Sequence, residues 1–170
     1  MRLTLAHGEV RSLERGDAAS IARHANNRRV WQNLRDRFPH PYSERDARAF
    51  IADARRRTPE VTFAIVVDGE ASGTIGVMPN VDVDRVSAEL GYWLGEAHWG
   101  RGIMTEAVRA VTAYAVESFA LTRIYATPFA DNLASCRVLE KAGYVLEGRL
   151  RRAAIKDGRV IDTCLYGFIV

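Results

Sequence analysis

The spacing of apolar residues along the chain predicts an alternation of strands and helices. The predicted strands are short runs in which apolar side chains alternate with polar ones or are continuous. Asp68 with Gly69 and Asp157 with Gly158 are turn pairs that predict hairpins. The predicted strands lie at 8–14, 61–67, 71–78, 86–94, 124–127, 144–153 and 160–169.

Helices are predicted where apolar residues recur three and four positions apart. Asp17 is expected to cap a helix that runs to about residue 27, and a second helical piece follows through 31–34. The two prolines of 38–42 predict an extended loop. Ser43 is expected to cap the next helix, with Asp46 in its first turn. Two further helices are predicted at 101 to about 118, with an apolar face of Met104, Ala107, Val108, Val111 and Ala115, and at 132–142.

The predicted order is β-α-α-β-β-β-α-β-α-β-β, which describes an α/β fold: an α+β mixed sheet with helices on both faces. A chain of 170 residues fits one domain, here 1–170. Its 48% hydrophobic and 26% charged residues are typical of a globular protein. No apolar run is long enough to span a bilayer, and no signal-peptide core follows Met1. The expected location is therefore the cytoplasm, with no membrane partner.

The charge distribution does not favour a nucleic-acid partner. The formal net charge is +3, and the basic residues are spread along the chain, with one tight run at 55–57. A nucleic-acid-binding protein would concentrate them on one face. The two cysteines, Cys136 and Cys164, have no C-x-x-C pairing and no histidine cluster near them, so we expect free thiols and no metal site.

The most informative segment is 95–107, which joins a strand to a helix. Gly100 and Gly102 would let phosphate oxygens approach the free N–H groups at the helix start. A dinucleotide-binding pattern would need a glycine at Thr105, and a Walker A loop would need lysine and Ser/Thr where Arg101 and Gly102 stand. The alternative interpretation is a tight strand-to-helix turn without a ligand.

A second segment, 132–144, begins a helix that Gly143 ends. Asn132 and Ser135 lie three positions apart, on one edge of the helix start. From the residues alone, Asn132 could equally be no more than an N-cap.

In this order and spacing the two segments resemble the GNAT acetyltransferase superfamily, most closely its ribosomal-protein N-terminal acetyltransferases of the RimJ/RimL type. The resemblance covers about residues 8–169. It implies a GNAT fold with a splayed central strand pair, acetyl-coenzyme A as cofactor, and transfer of an acetyl group to a primary amine. The matching motifs are Tyr92-Trp93-Leu94, Trp99-Gly100-x-Gly102-x-x-x-Glu106-Ala107, Asn132-x-x-Ser135-x-x-Val138-Leu139-Glu140-Lys141-x-Gly143-Tyr144 and Glu147-Gly148.

The resemblance also implies roles for single residues. A backbone N–H near Trp93 or Leu94 would polarise the thioester carbonyl, and Asn132 would bond the pantetheine arm. His98, expected to be exposed, would be one of the loop residues at the phosphates. The segment that would bind the pyrophosphate comprises His98, Trp99, Gly100, Arg101, Gly102, Ile103, Met104 and Thr105.

For catalysis, Glu89 lies at the position that resembles the general base of histone acetyltransferases in the superfamily, acting directly or through a water. Ser135 is the predicted hydrogen-bond donor to the departing sulfur. Their alternatives are a solvated strand carboxylate and a second helix cap. The sequence departs from the family at Ala97, where Gln or Arg is frequent, and at Leu139, where a tyrosine general acid is frequent.

The acceptor stays open between a protein N-terminus and a small amine, and the oligomeric state between monomer and homodimer. Direct attack in a ternary complex is expected, since Cys136 has no nearby histidine to activate it. The alternative function is a non-catalytic acyl-coenzyme A-binding or regulatory module of the same fold. The residues predicted to line the acceptor pocket, which core or loop packing could equally explain, are Trp31, Phe38, His40 and Tyr42, with Trp93 beside them.

Overall fold

The computed structural model describes residues 1–170 and contains eight strands and five α-helices. The strands are β1 (Arg2–Leu5), β2 (Gly8–Ser12), β3 (Thr62–Val67), β4 (Glu70–Pro79), β5 (Ser87–Leu94), β6 (Arg123–Ala126), β7 (Val145–Lys156) and β8 (Arg159–Ile169). The helices are α1 (Ala18–Ala25), α2 (Arg28–Trp31), α3 (Glu44–Ala54), α4 (Ile103–Phe119) and α5 (Leu133–Lys141). Short 3₁₀ helices form at Arg15–Asp17, Asp82–Asp84 and Glu96–His98.

All eight strands belong to one mixed sheet in the order β1-β2-β3-β4-β5-β6-β8-β7. Strands β1 to β4 pair antiparallel in succession, β5 pairs parallel with β6, and β8 pairs antiparallel with both β6 and β7. The predicted mixed α/β sheet is confirmed. The predicted order lacked β1, and it counted two helices before β3 where three form.

The chain divides into two compact units. The first consists of Met1–Gly76 and Tyr92–Ala107. Its helices α1 and α3 bury their apolar faces together with residues of β3, β4 and β5. Members of this core include Leu13, Ile21, Ala25, Val30, Tyr42, Ala47, Ile51, Ala64, Val66 and Trp93.

The second unit consists of Val77–Gly91 and Val108–Val170. In its interior the hydroxyls of Thr112 and Tyr144 are hydrogen-bonded at 2.7 Å. Of the apolar face predicted for α4, Val108, Val111 and Ala115 are buried in this unit and Met104 and Ala107 in the first, which confirms that prediction. No helix of the chain is both long and apolar enough to cross a membrane. Buried residues of this unit include Val111, Ala115, Leu121, Ile124, Leu139, Tyr144 and Tyr166.

The start of α3 confirms the predicted cap. The Ser43 hydroxyl accepts a bond from the Asp46 N–H, and the Asp46 carboxylate accepts one from the Ser43 N–H at 2.8 Å. Asp17 is the N-cap residue of α1, as expected, but its side chain makes no capping bond. Its buried carboxylate accepts from the Glu14 N–H and from the Arg11 guanidinium instead, because that buried cation is the stronger partner.

Candidate functional site

The loop between β5 and α4 is built around two glycines in left-handed conformation. Gly100 has φ +76° and Gly102 has φ +80°, values that side chains with a Cβ adopt only under strain. The turn is closed by the His98 N–H, bonded to the Gly95 carbonyl at 3.0 Å, and by the Glu106 N–H, bonded to the Gly102 carbonyl at 3.2 Å. Both glycines therefore serve the shape of this turn.

Open space lies beside both glycines, since a Cβ at either position would meet no atom within 4 Å. The first N–H groups of α4 belong to Ile103, Met104 and Thr105, and the opening turn of a helix has no intrahelical acceptors for them. The Ile103 and Met104 side chains are buried, which anchors the turn. Exposed loop backbone, unpaired amides and the positive end of the helix dipole together fit a pyrophosphate group.

His98 is buried, with 8% of its surface exposed, so the expectation that it is exposed is wrong. Its ring packs against that of His24 at a centroid distance of 5.4 Å. Its Nδ1 lies 3.2 Å from Nη1 of Arg101, and its Nε2 has no hydrogen-bond partner. Burial lowers the pKa of His98, and the neighbouring His24 and Arg101 lower it further. The His98 side chain is therefore enclosed by protein.

Trp93 and Leu94 place their side chains in the protein interior, at 9% and 6% exposure. The Trp93 ring meets the ring of Phe38 edge-on at 5.7 Å. The Leu94 carbonyl accepts a bond of 2.7 Å from Nε1 of Trp99. Trp99 is 40% exposed, and its ring lies under the Arg29 guanidinium. Only backbone groups of Trp93 and Leu94 are therefore suited to a ligand contact.

The aromatic residues expected to line an acceptor pocket divide into two pairs. Tyr42 is buried in the core and packs on Phe38 at 4.7 Å, and burial raises its pKa to about 12. Tyr42 therefore packs in the core, the alternative that the sequence left open for it, and its contact with an acceptor stays a prediction. Trp31 and His40, half-buried and exposed respectively, form a second pair at 5.5 Å, with the Arg28 guanidinium over the Trp31 ring.

In the second unit, Glu89 is half-buried on β5, and its Oε1 accepts a bond of 3.1 Å from the Thr127 hydroxyl. The parallel pairing of β5 with β6 covers only Ser87, Ala88 and Glu89, although β5 continues to Leu94. The pairing thus ends at Glu89, in agreement with the splayed strand pair that the family resemblance implies.

The start of α5 brings Asn132 and Ser135 together. The Asn132 Oδ1 accepts a bond of 3.2 Å from the Ser135 backbone N–H, so Asn132 is the N-cap of this helix. The cap occupies the oxygen of Asn132 and leaves its Nδ2 as the donor for any further contact. Ser135 contributes its backbone to the cap, and its hydroxyl is not the capping group.

Two side-chain contacts in the structure could not be predicted from the sequence. His24 bonds Glu70 through Nε2 at 2.9 Å while packing against His98, and no sequence motif links residues so far apart. The Tyr166 hydroxyl, on β8, donates to Glu140 at 2.8 Å.

Cys136, as expected, is a buried free thiol, and burial raises its pKa. No cluster of three or more potential ligand side chains could hold a metal ion.

Residues 9–145 match the family model described as an acetyltransferase (GNAT) domain. The chain is similar to the probable N-acetyltransferase YjcK of Bacillus subtilis (strain 168), with 45% identity over 85 residues, covering 50% of this chain and 47% of that protein. It is also similar to the ribosomal-protein-serine acetyltransferase of Escherichia coli (strain K12), with 32% identity over 108 residues, covering 64% and 60%. The matched segments thus span 47% and 60% of the lengths of these two relatives.

Among solved structures, the chain is similar to that of Mycobacterium smegmatis RimJ in complex with CoA-disulfide. The TM-score is 0.84 at 25% sequence identity, over 100% of this chain and 86% of that chain. The family model and this structure agree on the fold.

Proposed function

This chain belongs to the acetyltransferase (GNAT) domain family, and we propose that it transfers an acetyl group from acetyl-coenzyme A to a primary amine. The observation that carries the proposal is the loop before α4. Its two left-handed glycines flank Arg101, open space lies beside both, and the unpaired amides of a 17-residue helix follow directly.

Bound acetyl-coenzyme A would supply the acetyl group as an activated thioester. In this proposal the amides of Ile103, Met104 and Thr105 and the guanidinium of Arg101 bind the pyrophosphate. The Asn132 Nδ2 donates to the pantetheine arm. A backbone N–H of Trp93 or Leu94, whose side chains are held in the core, donates to the thioester carbonyl oxygen. Gly100, Gly102 and Trp99 shape the loop that carries these groups.

Glu89 is the proposed general base. A primary amine with a pKa near ~10 is mostly protonated at neutral pH and must lose a proton before it can attack. The Thr127 hydroxyl holds the Glu89 carboxylate, which takes this proton directly or through a water. Leu139 stands where the family often has a tyrosine, and its side chain has no O–H or N–H group to donate. Ser135 therefore takes the role of hydrogen-bond donor to the departing sulfur.

We propose direct transfer in a ternary complex. Cys136 is 7% exposed, and burial raises the pKa of its thiol, whereas a nucleophilic cysteine needs exposure and a lowered pKa. Cys136→Ala should therefore keep most of the transferase activity. An acetylated Cys136 found by mass spectrometry without acceptor, together with an inactive alanine variant, would show an acetyl-enzyme route instead.

For the acceptor we propose a protein N-terminal amine first and a small amine second, because one relative is named a ribosomal-protein-serine acetyltransferase. A thiol-release assay with acetyl-coenzyme A and a panel of peptides and small amines tests this. Release that depends on one class of amine identifies the acceptor. Tight binding of coenzyme A without thiol release for any amine would instead identify a non-catalytic binding module. That alternative is also favoured by Leu139, which stands where the family often has a tyrosine.

A further inference from the structure

The contact between Arg101 and His98 determines the protonation state of the imidazole. Nη1 of Arg101 lies 3.2 Å from Nδ1 of His98. A guanidinium has only donors, so Nδ1 must be the acceptor and carries no proton. His98 is therefore neutral, with its proton on Nε2. Burial lowers the pKa of His98, and His24 and Arg101 lower it further, while Asp68 and Glu70 oppose the shift.

The His98 ring is enclosed from the side opposite Arg101. Its Nε2 is buried without a partner, and the ring packs on His24, whose own Nε2 is bonded to Glu70 at 2.9 Å. Gly95 makes room for this packing, because a Cβ there would lie 2.6 Å from Nδ1 of His24. The imidazole is thus held in place by α1 and β4, with Nδ1 as its one bonded nitrogen.

Arg101, in contrast, is partly exposed. Its side chain is 41% exposed, stands between the two left-handed glycines and lies 3.8 Å from the Asp68 carboxylate. A guanidinium has five N–H donors, of which His98 takes one, so donors remain for an anion at the loop. Since Ala97 stands where the family often has Gln or Arg, Arg101 is the cation that the loop itself provides.

We propose that His98 is a positioning residue for coenzyme A: as a neutral acceptor it holds the Arg101 guanidinium at the pyrophosphate. The inference rests on the proposed function, because it assigns the loop to the cofactor. In this proposal His98 acts on the phosphate through Arg101, in place of the direct phosphate contact that the sequence predicts for His98. The His24–Glu70 pair acts behind His98 by keeping its ring in place.

The test compares His98→Asn with His98→Leu by calorimetry. The Asn Oδ1 stands one bond beyond Cγ, as Nδ1 does, and can accept from Arg101, whereas leucine cannot. We expect His98→Leu to weaken coenzyme A binding about tenfold, the effect of one hydrogen bond to a charged group, and His98→Asn to restore most of it. Binding of pantetheine, which has no pyrophosphate, should not differ among the three proteins.

A double-mutant cycle separates positioning from a structural role. In an Arg101→Ala background, which itself weakens binding, His98→Leu should have no further effect on coenzyme A affinity. An equal tenfold loss there, or an equal loss for pantetheine, would overturn the inference. If His98→Leu does not fold, the coenzyme A affinities of His98→Asn and of the Arg101→Ala, His98→Asn double variant are compared instead. A loss in His98→Asn as large as in Arg101→Ala would then also overturn it.

The pH dependence gives an independent readout. Because the pKa of His98 is lowered, His98 stays neutral and the advantage of wild type over His98→Leu in coenzyme A affinity should hold down to about pH 6.5, the ordinary pKa of histidine. Below that pH, protonation of His98 removes its acceptor, so the advantage should shrink. An advantage that grows instead would indicate a direct contact by cationic His98 and overturn the inference. Wild-type protein that binds no coenzyme A at all would overturn the proposed function as well, whereas equal binding by wild type and His98→Leu overturns only the inference.

Discussion

The Thr127 hydroxyl donates a hydrogen bond of 3.1 Å to the Glu89 carboxylate. Glu89 is the last residue of β5 that pairs with β6, opposite Tyr125, and Thr127 follows directly after β6. The register of the two parallel strands thus places the donor beside the carboxylate. A carboxylate held in this way is suited to accept a proton at a defined position.

Replacing Glu89 with glutamine tests this role. The amide keeps an oxygen for Thr127 but cannot take a proton. We expect kcat/KM to fall by about 10²–10⁴-fold at neutral pH, the usual contribution of a general base. The deficit should narrow as the pH rises, because more of the amine is already deprotonated. Steady-state kinetics across pH provide the measurement.

Glu9→Gln is the matched control for this variant. Glu9 is also half-buried on a strand, where it pairs with Arg2 and Arg11. The Glu9→Gln substitution should leave kcat/KM unchanged. Wild-type activity in Glu89→Gln, with an unchanged pH profile, would leave water or the substrate as the proton acceptor.

Ser135→Ala tests the hydrogen bond to the departing sulfur. The cap of α5 uses the backbone N–H of Ser135 and therefore survives the substitution. We expect a loss of about 1.5–3 kcal/mol in transition-state stabilisation, as for one hydrogen bond to a charged group. The loss should persist at high pH, since departure of the sulfur does not depend on the state of the amine. A loss that vanishes at high pH contradicts this role.

Gly102→Ala tests the loop, with Gly158→Ala as its control. Gly102 (φ +80°) and Gly158 (φ +73°) are both left-handed with open space around a Cβ, and Gly158 lies in the β7–β8 turn, outside the proposed cofactor contacts. Both variants should lose about 1–2 kcal/mol of stability to backbone strain. Only Gly102→Ala should weaken coenzyme A binding in calorimetry. Equal affinities in the two variants would remove the loop from the cofactor site.

Asp17→Asn tests the buried ion pair with Arg11. Burial alone would raise the pKa of Asp17, but the bonds from Arg11 and the Glu14 N–H outweigh it and lower the pKa. We expect a loss of about 1.5–3 kcal/mol in unfolding free energy at neutral pH, because the buried Arg11 loses its charged partner at 2.7 Å and keeps only the longer contacts to Glu9 and Glu14. The exposed Glu44, paired with Arg48, is the control: Glu44→Gln should cost less than about 0.5 kcal/mol.

The pH dependence of that difference has a definite sign. A carboxylate whose folded pKa is lowered contributes stability above its ordinary pKa, and the contribution is lost as the pH falls through the lowered value. The gap between wild type and Asp17→Asn should therefore shrink below about pH 4 in denaturant titrations. A gap that is constant down to the acid transition would show that the charge of Asp17 does not stabilise the fold.

Much of the fold follows from local sequence rules. The capping box of Ser43 and Asp46, the apolar face of α4 and the N-cap of Asn132 each depend on residues within a few positions of one another. Strand β1 was missed because its four residues carry no strong pattern and depend on pairing with β2. The side-chain partner of Asp17 could not be predicted, because Arg11 lies on the preceding strand.

The candidate site was predictable where a motif exists and unpredictable where distant residues meet. Gly100 and Gly102 belong to a motif that can be recognised in the sequence. In the structure both have a left-handed backbone conformation. The burial of His98 depends on His24, which is 74 positions away in sequence, and on the missing Cβ of Gly95. Tyr42 entered the core for a similar reason, since Phe38 and neighbouring helices cover it.

The most direct test of the account follows the acetyl group itself. Wild-type protein is incubated with acetyl-coenzyme A that carries a ¹³C-labelled acetyl group and with a peptide that has a free N-terminus or a small primary amine. Product mass and free thiol are then measured together. If the chain is an N-acetyltransferase, labelled acetyl will be found on the amine, with one thiol released per acetyl group. Coenzyme A binding without labelled product for any amine, or thiol release without acetylated amine, would contradict it.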